Sequence, residues 1–412
     1  MNRIGYSCFS FVLALVFAGL ASGPGALVST ASAQAGRASA NLLSNPGFEE
    51  GGLFAPSDWD TTVAGLPTVL FYWDPDMKHG GGRAASIVNA GDVLPIWHNW
   101  YQLLPHAGRF VGKDVELTVW TRAAQLSGRG YIMVQCYRDT VSLVARDKGI
   151  TREEARVQMG FKFADDPQLE LGWKREYFSN ESMEWTPKKV RVYVPPTTNL
   201  LVVRCGLYGP GQVWFDDAVL TSEPAKPSTP FPLGKNLLAN PGFERPIDDW
   251  EFSIPPTGGA AVTLDSSTAH SGRYSILLTT PQKPGFQTYM NACQVFNVRN
   301  MSGKRVRMSG WCKLENVNDT SAYLSIYATG IYGVDGSLAG DALSGTLDWT
   351  FYSCEFDVPK NTYTVWARAG YQATLGKCWW DDLKFEVIGD AQAAAGTTKK
   401  KSASSKPASS KP

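Results

Sequence analysis

The chain has 412 residues, 39 basic and 38 acidic side chains for a formal net charge of +1, and 43% hydrophobic residues. That length suggests two or three domains, each with enough apolar material for a sizeable core. So balanced a charge supplies no overall field for a polyanion, which excludes nucleic acid as the expected partner.

In chain order, residues 1–33 read as a secretory signal. Arg3 gives a charged start, an apolar run spans Phe9 to Leu20, and Ala31-Ser32-Ala33 is the small-x-small pattern of a cleavage site. The run is shorter than the ~20 residues that cross a bilayer, and no later segment is apolar enough to do so. The expected location is therefore secreted, periplasmic or cell-surface. Of seven cysteines, Cys8 lies in this leader and six remain: Cys136, Cys205, Cys293, Cys312, Cys354 and Cys378. Even numbers in an exported chain favour disulfides within each half. Cys312 and Cys354 are expected on the inward side of neighbouring strands, leaving Cys293 with Cys378, one of three possible pairings. No Cys-x-x-Cys pair is present and the four histidines are scattered, which argues against a zinc site.

Internal repetition dominates the remainder of the chain. Asn41-Leu-Leu-Ser-Asn-Pro-Gly-Phe-Glu49 returns as Asn236-Leu-Leu-Ala-Asn-Pro-Gly-Phe-Glu244, and Trp59 and Trp250 follow the two copies. His79 with its glycines through Arg83 and Ser86 matches His270-Ser-Gly-Arg-Tyr-Ser275. Trp97, Asn99 and Gln102 match Tyr289, Asn291 and Gln294, and Gly112-Lys113 leads to Trp120 as Gly303-Lys304 leads to Trp311. Each half closes on Trp214-Phe-Asp-Asp217 or Trp379-Trp-Asp-Asp382. Between these landmarks the residues alternate with period two, as in Val115, Leu117 and Val119, and turn-forming clusters separate short strands. The expected class is all-β: two tandem antiparallel β-sandwiches over residues 41–222 and 236–389, joined by a stiff Pro-rich linker over 223–235. The first half carries an insertion in which Thr151-Arg-Glu-Glu154 reads as the capping box of one short helix, with Gly160 to end it. Residues 390–412, rich in Lys, Ser, Ala and Pro, hold no aromatic side chain and are expected to be disordered. Their lysines are the expected point of contact with cell wall or envelope.

The opening motif, the central His-Ser-Gly-Arg-x-Ser and the closing Trp-x-Asp-Asp together resemble the CenC-type carbohydrate-binding modules, grouped with families 4, 9 and 22 of such domains. The resemblance implies a galactose-binding-like jelly roll with a concave glycan face. It also implies a structural calcium ion in each module, a cation that takes several hard oxygen ligands. On that resemblance the ligands are Glu49 and Glu244, the carbonyls of Gly47 and Gly242, Asp216 or Asp217, and Asp381 or Asp382, with Asp74 and Asp265 in the middle position. Three glycines stand where the first copy of the turn should read Ser-Gly, so the first site departs further from the pattern.

Aromatic rings pack on the apolar face of a sugar while amides and carboxylates take its hydroxyls. Trp97, Asn99, Trp100 and Tyr101 form the densest such group, with Tyr289 and Asn291 as a reduced counterpart. Trp120 and Trp311 oppose their aliphatic neighbours and are expected on the concave face. The first module is therefore the expected glycan platform. No Gly-x-Ser-x-Gly elbow, His-Glu-x-x-His or phosphate-cradling loop is present, and the paired carboxylates fall in the calcium motif. The reading is a non-catalytic polysaccharide-binding protein. A structural or adhesive envelope protein is the alternative, and a glycoside hydrolase or lyase with an unrecognised site ranks below both.

Overall fold

The computed structural model describes residues 40–392, apart from 63–67, 92–96, 161–168, 255–259, 281–287, 298, 331–332, 340–342 and 374. The leader and residues 393–412 of the tail lie outside the described residues, while Asp390, expected in the disordered tail, ends the last strand. The first module runs β1 (Asp60–Thr61), β2 (Val69–Asp74), β3 (Ala84–Asn89), β4 (Trp97–Pro105), β5 (Lys113–Ala124), β6 (Arg129–Arg138), α1 (Thr140–Lys148), α2 (Arg152–Gln158), β7 (Leu169–Phe178), β8 (Met183–Tyr193), β9 (Leu200–Tyr208) and β10 (Gly211–Pro224). Its strands make two antiparallel sheets, a front sheet β1-β4-β9-β6-β7 and a back sheet β2-β3-β10-β5-β8. Alternation builds the core between them. Val115, Leu117 and Val119 from the back meet Ile132, Val134, Leu201 and Val203 from the front, all fully or nearly fully buried.

The second module repeats the plan with β11 (Glu251–Ser253), β12 (Ala261–Asp265), β13 (Ser275–Thr280), β14 (Thr288–Asn297), β15 (Lys304–Gly330), β16 (Gly333–Ala339), β17 (Leu343–Asp357), β18 (Thr362–Ala373) and β19 (Gly376–Asp390). Here one 27-residue strand, β15, does the work of β5 and β6. Its first half pairs with β17 and β19 on the back, and its second half pairs with β16 and β18 on the front. The corner between the halves holds Asn316 at φ 54°, and the matching Gln125, at φ 52°, ends β5 in the first module. The chain is thus an all-β protein of two tandem jelly-roll sandwiches.

Two expectations change. The insertion holds two helices, not one. The Thr151–Glu154 capping box starts α2 as expected, but Asp139 also caps α1 by accepting from the Ser142 N–H, and Gly149 ends it at φ 64°. No disulfide joins the six described cysteines, all of which are buried. Cys354 contacts the Leu324 carbonyl instead of Cys312, whose sulfur lies 3.9 Å from that of Cys378. The Pro-rich linker is tied down on both sides: the Lys226 N–H donates to Asp114 at 3.0 Å, Arg299 donates to the Lys226 carbonyl, and Phe231 packs on the second core.

The modules also meet along edge strand β7. Arg175 pairs with Glu251 at 2.5 Å, and the Tyr177 hydroxyl donates to the same carboxylate. The Asn297 side chain accepts from the Trp173 N–H and donates to the Trp173 carbonyl, supplying the bonds a neighbouring strand would give. Arg129 reaches the Trp250 carbonyl at 2.9 Å, Ser179 reaches Asp248 at 2.6 Å, and Thr364 reaches the Leu171 carbonyl at 3.0 Å. Among the described residues no helix is long and apolar enough to cross a membrane.

Candidate functional site

The repeated motifs converge on one clasp per module. In the opening motif Asn45 and Phe48 both have positive φ, 43° and 57°, as do Asn240 and Phe243 at 48° and 58°. A bulky residue holds such a backbone only where its surroundings fix it. The Phe48 ring is fully buried 4.6 Å from Trp59, and the Asn45 side chain donates to the carbonyls of Glu50 and Ser57. This twist turns Glu49 onto the glycine turn, where its Oε2 accepts the Gly82 N–H at 2.7 Å. Gly81 lies at φ 57°, and a Cβ there would sit 1.9 Å from Glu49 Oε1, so a side chain would strain the turn and push that carboxylate aside.

From the closing strand, buried Asp216 accepts the N–H groups of His79 and Gly80 at 2.8 and 3.0 Å, and Asp217 meets His79 Nδ1 at 2.7 Å. The second module is the same in kind: Glu244 holds the N–H groups of Arg273 and Tyr274, Asp381 those of His270 and Ser271, and Asp382 takes His270 Nδ1 and Ser271 Oγ. Burial pushes the carboxyls of Asp216 and Asp381 up to about 6, opposed by the N–H groups they accept from.

The carboxylates of Glu49 and Asp217 flank Gly47, as those of Glu244 and Asp382 stand near Gly242. Hard oxygens so placed fit part of a calcium shell. Asp216 and Asp381 are committed to backbone N–H groups. Asp74 and Asp265 depart from the expectation altogether. Each caps the turn after its own strand and accepts an indole N–H, from Trp214 at 2.8 Å and from Trp379 at 2.7 Å. Among the described residues no three His, Cys, Asp or Glu side chains gather into a metal cage.

Trp120 and Trp311 are not on the front sheet. They project from the back sheet and stack on the clasp histidines, Trp120 on His79 at 3.8 Å and Trp311 on His270 at 4.0 Å. Trp185 and Trp349 meet the same imidazoles edge-on. Trp100 is likewise corrected. Alternation along β4 sends it into the core, 1% exposed, with its indole donating to the Ser86 carbonyl.

Trp97, Asn99 and Tyr101 do share the front face, yet that face is closed. Asn99, Tyr101, Tyr131, Met133 and Val202 are 6% exposed or less. Their polar atoms satisfy one another: Asn99 donates to the Tyr131 hydroxyl and accepts from Arg204, which donates on to Gln135. Gln135 in turn donates to Glu170, whose carboxyl is raised by burial. Trp97 lies under the Arg175 guanidinium at 4.0 Å, and Trp173 meets Trp366 of the second module at 5.7 Å.

The second front sheet is more open. Register places Asn291, Gly370 and Tyr323 in one row, then Cys293, Arg368 and Ser325, then Val295, Trp366 and Tyr327. Tyr323, Tyr327, Trp366 and Arg368 are half-buried there. The Arg368 guanidinium lies 4.7 Å from the Tyr327 ring and 4.6 Å from Trp366. Tyr289 joins this sheet opposite Gln372, and its side chain lies outside the described residues. In both modules the hydroxyl end of a tyrosine ring covers a glycine, Tyr131 over Gly206 and Tyr323 over Gly370, where a Cβ would come within 2.2 Å. Sequence reasoning missed these tyrosines, Arg204 and Arg368. The repeat held the signal, because Arg204-Cys-Gly206 recurs as Arg368-Ala-Gly370.

No protein-family description matches the chain. It is 24% identical over 155 residues to an uncharacterized HTH-type transcriptional regulator, YbfP, of Bacillus subtilis, covering 36% of this chain and 51% of that protein. The chain thus spans about half the length of this relative. Among solved structures it is similar to the N-terminal CBM22-1–CBM22-2 tandem of Xyn10C from Paenibacillus barcinonensis, at 14% identity and a TM-score of 0.29 over 87% of this chain and all of that one. TmCBM61 in complex with β-1,4-galactotriose matches at 18% identity, covering 37% of this chain and 99% of that one at a TM-score of 0.28. The enzymatically active domain of tailspike protein 4 of bacteriophage CBA120 matches at 20% identity, over 37% of this chain and 21% of that one, with a TM-score of 0.30.

Proposed function

We propose that this is an exported, non-catalytic carbohydrate-binding protein whose glycan lies on the front sheet of the second module. One observation carries the reading. Tyr323, Tyr327 and Trp366 stand half-buried around Arg368 on a single sheet face, with Asn291 beside them. Flat rings supply the apolar contact a pyranose needs, and the amide and guanidinium supply donors for its oxygens. The role expected of the first module passes to the second, because the first face is occupied by its own hydrogen bonds and by the seam. Calcium is proposed as a stabiliser of each clasp, held by Glu49, Asp217 and the Gly47 carbonyl, and by their counterparts Glu244, Asp382 and Gly242. Hard-cation charge there would neutralise adjoining carboxylates and pin strand ends.

The test is calorimetric titration of the full mature chain with soluble oligosaccharides chosen from a glycan array. Tyr327→Ala and Trp366→Ala should each weaken binding by about 1–3 kcal/mol with the fold intact, while Trp120→Ala leaves affinity unchanged. A chain that binds no glycan on the array refutes this reading. The structural-protein alternative, which the closed first face and the built seam favour, would then replace it.

A further inference from the structure

Two rings and two guanidiniums form a continuous row of contacts across the seam. The Arg175 guanidinium lies 5.2 Å from the Trp173 ring, Trp173 meets Trp366 edge-on at 5.7 Å, and Arg368 lies 4.6 Å from Trp366. The two ends differ in charge. Arg175 is neutralised by Glu251 at 2.5 Å. Arg368 has no carboxylate and no hydrogen-bond acceptor among the described residues, and its Nε is buried without a partner. The indole nitrogens of Trp173 and Trp366 are also buried donors that meet no acceptor. Arg204, in the matching place in the first module, is by contrast bonded to Asn99 and Gln135. A guanidinium pressed against two rings has its plane fixed, which favours a fork-like grip on an anionic group. The two terminal nitrogens of Arg368 are not among these buried atoms, so the end of the fork is the part open to a ligand.

We infer that the second module's front sheet selects an acidic saccharide, with Arg368 binding a carboxylate or sulfate on the sugar and Trp173 of the first module completing the site. This rests on the carbohydrate-binding function proposed for the same face and names the substrate class it leaves open. The first module then contributes one wall of a composite site.

The experiment titrates the full mature chain with trigalacturonate, with a sulfated galactotriose and with neutral galactotriose, at low and at high salt. One anionic ligand should bind at least about tenfold more tightly than the neutral one, as hydrogen bonds to charged groups allow, and this margin should shrink with salt. Arg368→Gln should abolish the margin by weakening binding of the anionic ligand far more than of the neutral one, in a variant that still folds. Trp173→Phe, which keeps one aromatic ring but shrinks the first module's wall, should reduce the margin in part. The carboxylate and sulfate arms identify the anionic group. Equal binding of acidic and neutral ligands, with Arg368→Gln silent, overturns the acidic assignment and leaves the carbohydrate reading standing. Binding of none of the three, or of any array glycan, removes both. Should Arg368→Gln melt early, Arg368→Lys, which keeps the charge without the fork, decides the matter. An unchanged margin in a normally folded lysine variant would also overturn the forked grip.

Discussion

Removing the Glu251 carboxylate is the most direct assault on the seam. Its side chain is the acceptor for both Arg175 and Tyr177, each at 2.5 Å, and Arg175 and Glu251 are 11% and 16% exposed. Glu251→Ala therefore leaves a nearly buried guanidinium without its counter-ion and a buried hydroxyl without an acceptor. Breaking one side of such a pair costs on the order of 3–5 kcal/mol. Glu251→Gln keeps one acceptor oxygen and should cost about 1–3 kcal/mol, the scale of a single unsatisfied polar group. Replacing both partners, Arg175→Met with Glu251→Met, removes the charge together with its need and should recover most of the loss. Differential scanning calorimetry reads all four proteins. The wild type should melt in one transition, because seven polar bonds join the modules. Glu251→Ala should split it, with proteolysis appearing in the 223–235 linker. A wild type with two independent transitions, or a double variant that loses as much as Glu251→Ala, would refute the argument.

Gly206→Ala should cost about 1–3 kcal/mol in a denaturant melt, because Tyr131, 1% exposed, has no room to retreat from the new methyl. Gly370→Ala should cost less, since the half-exposed Tyr323 can swing outward. Glu170 has its carboxyl raised above 4.5 by burial, so the folded chain holds that proton where the unfolded chain has released it. Its contribution to stability falls as pH rises from the unfolded value through the folded one. Glu170→Gln, which still accepts from Gln135, should thus melt higher than wild type at about pH 8 and equal to it near pH 4. Chelation should lower the melting temperature without abolishing the fold. Identical melts with and without chelator, and no metal by elemental analysis, would remove calcium from the account.

The repeat made the architecture legible, because paired motifs in fixed order require two copies of one fold. The clasp was legible too: Glu49, His79 and Asp217 come from three separated motifs and meet. The faces were harder. Alternation shows that Trp120 opposes Val119, but not which of two sheets carries it, and only topology places it on the back. Trp97 to Tyr101 gives no hydrophobic–polar contrast, so Trp100 looked as exposed as Trp97 when it fills the core. Arg368 looked ordinary in sequence because its lack of a partner is a fact about its neighbours. The seam depends on how two folded surfaces meet, and nothing periodic within one strand encodes that.

The long strand β15 has a mechanical consequence. In the first module a break after Ala124 separates the two sheets, so either could fray while the other holds. In the second module a single backbone runs through both, bonded to four partners over its length. Tension applied at Lys304 is carried into the front sheet without passing through a loop. The second module should therefore yield at one force, and the amides of the doubly paired stretches 305–312 and 325–329 should exchange with deuterium later than those at the corner around Asn316.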